Sequence, residues 1–167
     1  PIRSVEDLKG MKIRVQQTEV AISMVRALGA EATPMDYAEV FQGLQTGIVD
    51  GAENDFVSYY TSGHYEVAKY YSLDQHMAPP AVLLMSKASW DKMTEAQQEA
   101  VRKAAYEAAV WQRQAMQDYQ LESRAACEAA GCEIIEVDVP SFQAAVASVY
   151  DEYPQYKTIV DMINAVE

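Results

Sequence analysis

Polar and apolar positions alternate with a period of two along residues 12–16, where Ile13 and Val15 interleave with Lys12, Arg14 and Gln16, and this predicts a strand after the turn at Lys9 and Gly10. The spacing turns helical in EVAISMVRAL at 19–28, with Thr18 suited to the N-cap and Gly29 to the C′ position. A second strand is expected from Ala32 to Met35. Asp36 to Glu39 (DYAE) approaches a capping box for a helix carrying Val40, Phe41 and Leu44 to Gly47. Ile48 and Val49 then open a third strand that turns at Asp50 and Gly51. A strand-helix-strand-helix-strand order implies parallel pairing through right-handed crossovers, hence an α/β lobe.

The pattern changes in the remainder. Residues 56–71 are rich in tyrosine (Tyr59, Tyr60, Tyr65, Tyr70, Tyr71) and read as a helix broken at Ser62 and Gly63. Pro79 and Pro80 precede AVLLMS at 81–86, an apolar run of the length of a buried strand. TEAQ at 94–97 is a capping box, and no Pro or Gly follows until Gly131. A helix of that length spans about 54 Å. A compact chain of this size has a diameter of only about 40 Å. The apolar series Val101, Ala104, Ala108, Trp111 and Ala115 is too short for a coiled coil, so a second lobe is the expected partner of this helix. A strand at 132–137 follows, then a helix capped by Ser141 that carries Phe142, Val146 and Val149 and stops at Pro154, and an amphipathic tail at 156–166.

Composition narrows the function. The 167 residues hold 25 acidic and 13 basic side chains, a net charge of −12, and half are hydrophobic. Such a field repels phosphate backbones and anionic membranes, which argues against nucleic-acid binding. An anionic ligand would have to be held by directed local contacts. No run reaches the length of a membrane span, and the opening residues do not form a signal peptide. The start at Pro1 points to a mature protein or a cut piece. Cys127 and Cys132 match neither a CxxC redox pair nor a zinc knuckle and read as buried thiols, with a local disulfide as the alternative in an oxidising compartment.

No GxGxxG, P-loop, HExxH or GxSxG is present, and the spacing of Asp50, Glu53 and Asp55 does not make a calcium loop, so neither a cofactor nor a metal is expected. His64 and His76, the only histidines, read as structural from sequence alone. Arg14 differs: a guanidinium in a strand covered by helices needs a carboxylate, a carbonyl or the sheet end. An internal salt bridge would satisfy it, but its fork also matches a ligand carboxylate. Asn54, at the end of a neighbouring strand, adds a donor and an acceptor. Ligands of open α/β sheets bind beyond such strand ends. Neither residue is a nucleophile or a base, so this pair binds better than it catalyses. The alternative is a small α/β enzyme domain that holds a carboxylate substrate on Arg14 while Asp50 or His76 moves protons.

DLKGMKIRV at 7–15, ALGAEATPM at 27–35, EVFQGLQTGIVDGAEN at 39–54, HYEVAKYY at 64–71 and SKASWDKM at 86–93 resemble, in order, the solute-binding proteins of TRAP transporters, the dicarboxylate-binding or DctP type. The resemblance implies a periplasmic-binding-protein-like α/β lobe with a mixed, mainly parallel sheet and one very long helix reaching toward a first lobe missing upstream of Pro1. It divides the chain into a ligand-binding lobe at 1–88, an inter-lobe helix region at 89–131 and C-terminal elements at 132–167. It implies an extracytoplasmic receptor, not an enzyme, with its signal peptide upstream. The receptor would bind an organic acid, a sugar acid or C4-dicarboxylate, and pass it to TRAP permease subunits. Arg14 corresponds to the family's carboxylate-pairing arginine and Asn54 to the asparagine of its DGxEN turn; Gln17, Tyr37 and His76 are further ligand-binding positions. Pro80-Ala81 stands where sugar-acid binders often carry Pro-Glu, so the acid stays unnamed. An exposed inter-lobe face would favour a homodimer.

Overall fold

The computed structural model describes residues 1–166. Strand β1 (Lys12–Val15) lies at the centre of a three-stranded parallel sheet, flanked by β2 (Glu31–Pro34) and β3 (Gly51–Ala52). Arg14 stands opposite Thr33 on one side and Ala52 on the other. Helix α1 (Glu19–Ala27) crosses from β1 to β2, opened by the Thr18 hydroxyl accepting from the Ala21 N–H. Helix α2 (Val40–Thr46) crosses from β2 to β3 and ends on Gly47 at φ +73°.

The third strand lies later than the sequence pattern predicts. Gly43 accepts from the amides of Ile48 and Val49, and Asp50 accepts the Lys12 N–H on its side chain while donating its own N–H to the Lys12 carbonyl. Pairing with β1 therefore starts at Gly51, inside the expected turn. The expected capping box at 36–39 is also not formed: Tyr37 to Glu39 make a 3-10 turn, and the Asp36 carboxylate accepts from Gln17 Nε2 instead of capping.

Helices α3 (Phe56–Thr61) and α4 (His64–Val67) bear out the break at Ser62 and Gly63. They lead into β4 (Tyr70–Ser72), a strand absent from the sequence reading. It pairs in parallel with β5 (Glu133–Ile135), more than sixty residues later. The α/β lobe is thus built as expected on parallel strands, and among the described residues no antiparallel pair is added to them. The apolar run at 81–86 forms no strand: Leu83 and Leu84 are 78% and 83% exposed, since no element among the described residues packs over them.

After the short α5 (Lys87–Trp90), α6 (Glu95–Ala129) is unbroken for 35 residues, about 52 Å. Its capping box is complete, with Thr94 Oγ1 accepting from the Gln97 N–H and Gln97 Oε1 from the Thr94 N–H. Its C-terminal part is anchored to the lobe, where α3 packs on it, Ser123 and Cys127 are buried and Arg124 lies 5.8 Å from the Phe56 ring, while its first turns meet α5 through Gln98 and Arg102 at Trp90. The middle exposes Tyr106, Val110, Trp111 and Leu121.

The chain closes with α7 (Val139–Ala145), α8 (Val149–Glu152) and α9 (Lys157–Asn164). Helix α7 begins two residues before Ser141, whose hydroxyl donates to the Asp138 carbonyl, and it stops well before Pro154. Phe142 enters the main core with Leu8, Ile13, Val15, Met24 and Val25. A second core groups Phe56 and Tyr59 with Cys127 and Cys132. The chain from Cys132 onward is thus woven into the lobe built by the first half of the sequence.

Candidate functional site

Arg14 is the third residue of the central strand and only 4% exposed. A buried guanidinium must find acceptors, and the register supplies them just past the ends of both neighbouring strands. Arg14 Nε and Nη2 donate to the Met35 carbonyl at 3.1 and 2.9 Å, two residues beyond Thr33. Nη1 lies 3.6 Å from Glu53 Oε1, one residue beyond Ala52. The fork is thereby held from behind by the backbone. Of its five N–H groups, two are taken by the carbonyl.

Tyr37 lies over this group, with the Arg14 guanidinium carbon 5.7 Å from its ring centroid. Its hydroxyl sits 2.7 Å from Ser62 Oγ and accepts from Asn54 Nδ2 at 3.3 Å. Asn54 is fixed on three sides: its Oδ1 accepts the Asp55 N–H at 3.1 Å and its carbonyl accepts the Tyr71 hydroxyl at 2.5 Å. Asp55 in turn caps α3 through the Ser58 N–H. Arg14, Tyr37 and Asn54 therefore form one connected polar surface. Arg14 and Tyr37, with Gln16, Gln17, Thr18, Met35 and Asp36, line a wide-open depression of about 470 Å³. Gln17 lies on its rim, held by Asp36 at 2.8 Å.

His76 joins the network indirectly. Its Nδ1 is 2.7 Å from Asp74 Oδ1, and its Nε2 is buried with no hydrogen-bond partner among the described residues. Burial works against the charged ring, but the hydrogen bond and charge of Asp74, together with the charge of Glu53, outweigh it and raise the His76 pKa. Glu53 is likewise raised: burial outweighs the charges of His76 and Arg14 that favour its ionised form. His64, whose ring centroid lies 5.6 Å from that of Tyr37, shifts the other way, lowered by burial and then by the Arg14 charge.

These shifts predict a pH signature. A raised histidine pKa stabilises the fold below the ordinary value of 6.5, and the contribution is lost as pH rises through the raised value. A lowered one, as at His64, contributes above 6.5 and is lost as pH falls. Replacing His76 by Gln should therefore reduce the fall in melting temperature between about pH 6 and about pH 8. Equal slopes for His76→Gln and the parent, followed by calorimetry, would overturn the assigned shift.

Glu53, Met35, Ser62 and Asp74 did not emerge as site residues from the sequence. Glu53 had a signal, because a buried strand arginine requires an acceptor, but only the β1–β3 register identifies which of Asp50, Glu53 and Asp55 provides it. Among the described residues no cluster of His, Cys, Asp or Glu could hold a metal ion.

Comparison with known proteins identifies the family. The model of the family described as bacterial extracellular solute-binding protein, family 7 (DctP), matches residues 1–156. A solute-binding protein of Chromohalobacter salexigens is 43% identical over 98% of this chain and 50% of its own length. The chain spans about half the length of the curated relatives it matches. A TRAP periplasmic solute-binding protein of Xanthobacter autotrophicus Py2, solved with bound β-D-galacturonate, superposes with a TM-score of 0.95 at 47% identity, over all of this chain and 57% of that one. One from Roseobacter denitrificans, solved with bound β-D-glucuronate, gives 0.94 at 40% identity, again over all of this chain and 57% of that one. With most of its length matched by the family model and its whole fold shared with solved members, the chain belongs to the bacterial extracellular solute-binding proteins of family 7.

Proposed function

We propose that this chain forms one jaw of a periplasmic receptor for a sugar acid of the uronate class, which it delivers to TRAP-type membrane permease subunits. The observation that carries the reading is Arg14: a buried guanidinium, braced from behind by the Met35 carbonyl, with N–H groups left over at the floor of an open depression. A planar carboxylate arriving there takes two parallel charge-assisted hydrogen bonds. Asn54 Nδ2 and the Tyr37 hydroxyl sit beside it as partners for sugar hydroxyls, and Gln17 lines the entry. His76 acts through Glu53, whose charge it balances as the ligand carboxylate approaches. Relatives at 47% and 40% identity carry uronates in their solved structures, which supports this class over C4-dicarboxylates.

The depression is too open to exclude water by itself, and a tight small-molecule site buries most of its ligand. The remaining half of the binding protein supplies the second jaw in this reading. It also covers the apolar groups exposed along α6, at 82–85 and on α9, where Ile159, Met162 and Ile163 face outward. In this reading residues 1–88 form the ligand-binding lobe, 89–131 the inter-lobe helix and 132–167 the C-terminal elements. A second copy is the competing occupant of the exposed face, and a dimeric mass by light scattering for the full-length receptor would favour it.

The test is a binding panel on the receptor at the full length of its relatives. D-glucuronate and D-galacturonate are expected to raise the melting temperature, a ligand at a hundred times its dissociation constant adding about 2.7 kcal/mol. Glucose and galactose should have no effect. A neutral sugar that binds best would overturn the carboxylate grip, and a better C4-dicarboxylate would move the class. Conversion of the bound acid, followed by NMR, would restore the enzyme reading.

A further inference from the structure

Helix α6 ends in a Schellman motif. Gly131 takes φ +84°, its N–H donates to the Glu128 carbonyl at 2.9 Å, and the Cys132 N–H donates to the Cys127 carbonyl at 3.0 Å. In this motif the side chains three residues inside the helix end and two beyond the cap turn toward each other. Here both are cysteines. Cys127 and Cys132 are 0% and 8% exposed and lie in the same aromatic core as Phe56 and Tyr59. The Tyr59 hydroxyl, which donates to the Ala68 carbonyl, also lies 3.4 Å from Cys132 Sγ, and that sulfur lies 3.6 Å from the Tyr65 carbonyl.

We infer that Cys127 and Cys132 are a disulfide site, closed while the chain folds, that staples the exit of α6 to the start of β5. The pair is free in this structure. Both sulfurs are enclosed, and burial, then the neighbouring thiol, raise the Cys127 pKa, so an external disulfide reaches the pair before the core closes. The oxidant is a small-molecule or protein disulfide. The Cys132 thiolate attacks it, forming a mixed disulfide and releasing one thiol. The Cys127 thiolate then attacks Cys132 Sγ, closing the S–S bond and expelling the second thiol. The protein dithiol loses two electrons and two protons, and the external disulfide gains them.

The staple would lie beneath the site. β5 begins at the residue after Cys132, Tyr59 packs on Tyr71 at 5.0 Å between ring centroids, and Tyr71 holds the Asn54 carbonyl. In the cell the inference rests on the periplasmic reading, which supplies an oxidising compartment. Its test in solution does not. The protein is equilibrated with reduced and oxidised glutathione at several ratios, once while refolding by dilution from urea and once in concentrated urea, then acid-quenched, alkylated with N-ethylmaleimide and weighed by mass spectrometry.

Sequence proximity acts in both states, whereas the Schellman geometry acts only in the folded one. The expected result is an effective thiol concentration about tenfold or more higher in the folded protein, equivalent to a reduction potential lower by about 30 mV. Cys127→Ser and Cys132→Ser should each retain one alkylatable thiol. An effective concentration equal to or below that in urea would overturn the inference, as would two alkylated thiols at every glutathione ratio. Either outcome leaves uronate binding untouched, so the two readings fail separately.

Discussion

Replacing Arg14 by alanine in the full-length receptor is expected to weaken uronate binding by about 2–5 kcal/mol, roughly a thirtyfold to several-thousandfold loss. The size follows from burial. A truncated exposed charge is replaced by water, but Arg14 is almost fully enclosed, so its loss leaves the ligand carboxylate facing Glu53 with no cation between them. Lysine does not rescue this position, because a point charge cannot donate two hydrogen bonds to the Met35 carbonyl and two more to a planar carboxylate. Arg14→Lys should therefore bind closer to the alanine variant than to the parent. Titration calorimetry with D-glucuronate and D-galacturonate reads both, and unchanged affinity in Arg14→Ala would remove the residue from the site.

The second large effect is structural. Phe142→Ala should destabilise the chain by about 3–5 kcal/mol, as large-to-small core substitutions do when the cavity cannot collapse. Phe142 is 2% exposed and packs in the core of the first sheet with Ile13, Val15 and Met24, residues from the opposite end of the sequence. Urea unfolding should show one transition shifted as a whole, with the signals of both ends of the chain moving together. A C-terminal transition separated from the rest would mean that residues 132–167 fold by themselves.

The parts of the fold legible in the sequence are those whose causes are local. Thr18, Gly47, Thr94 and Gly131 act through hydrogen bonds or backbone angles within a few residues, so the first parallel strands with their crossover helices and the whole of α6 could be read from caps and periodicity. Strand β4 could not. Its partner is more than sixty residues away, and a run of tyrosines at 59–71 suits a helix face as well as a strand. The apolar run at 81–86 misled for the opposite reason: its composition suits a buried strand, but no element among the described residues packs over it.

The site divides in the same way. Arg14 and Asn54 announce themselves by residue type at predicted strand ends, and the structure joins them through Tyr37. The roles of Met35 and Glu53 depend on register, which fixes how far past each strand end the chain must travel to reach the guanidinium. The electrostatic coupling of His76 to Glu53 depends on how residues 74–76 fold back toward the sheet, and no local pattern encodes that.

The one-sided anchoring of α6 has a mechanical consequence. A rod of about 52 Å held at one end is a lever arm, and a tilt of about 10° at its fixed end carries the free end through about 9 Å. The fulcrum is the aromatic packing around Phe56, Tyr59 and Cys127, which also holds the backbone of Asn54 through Tyr71. A small rearrangement of the backbone at Asn54 is thereby geared up into a displacement of several ångströms at the far end of the helix.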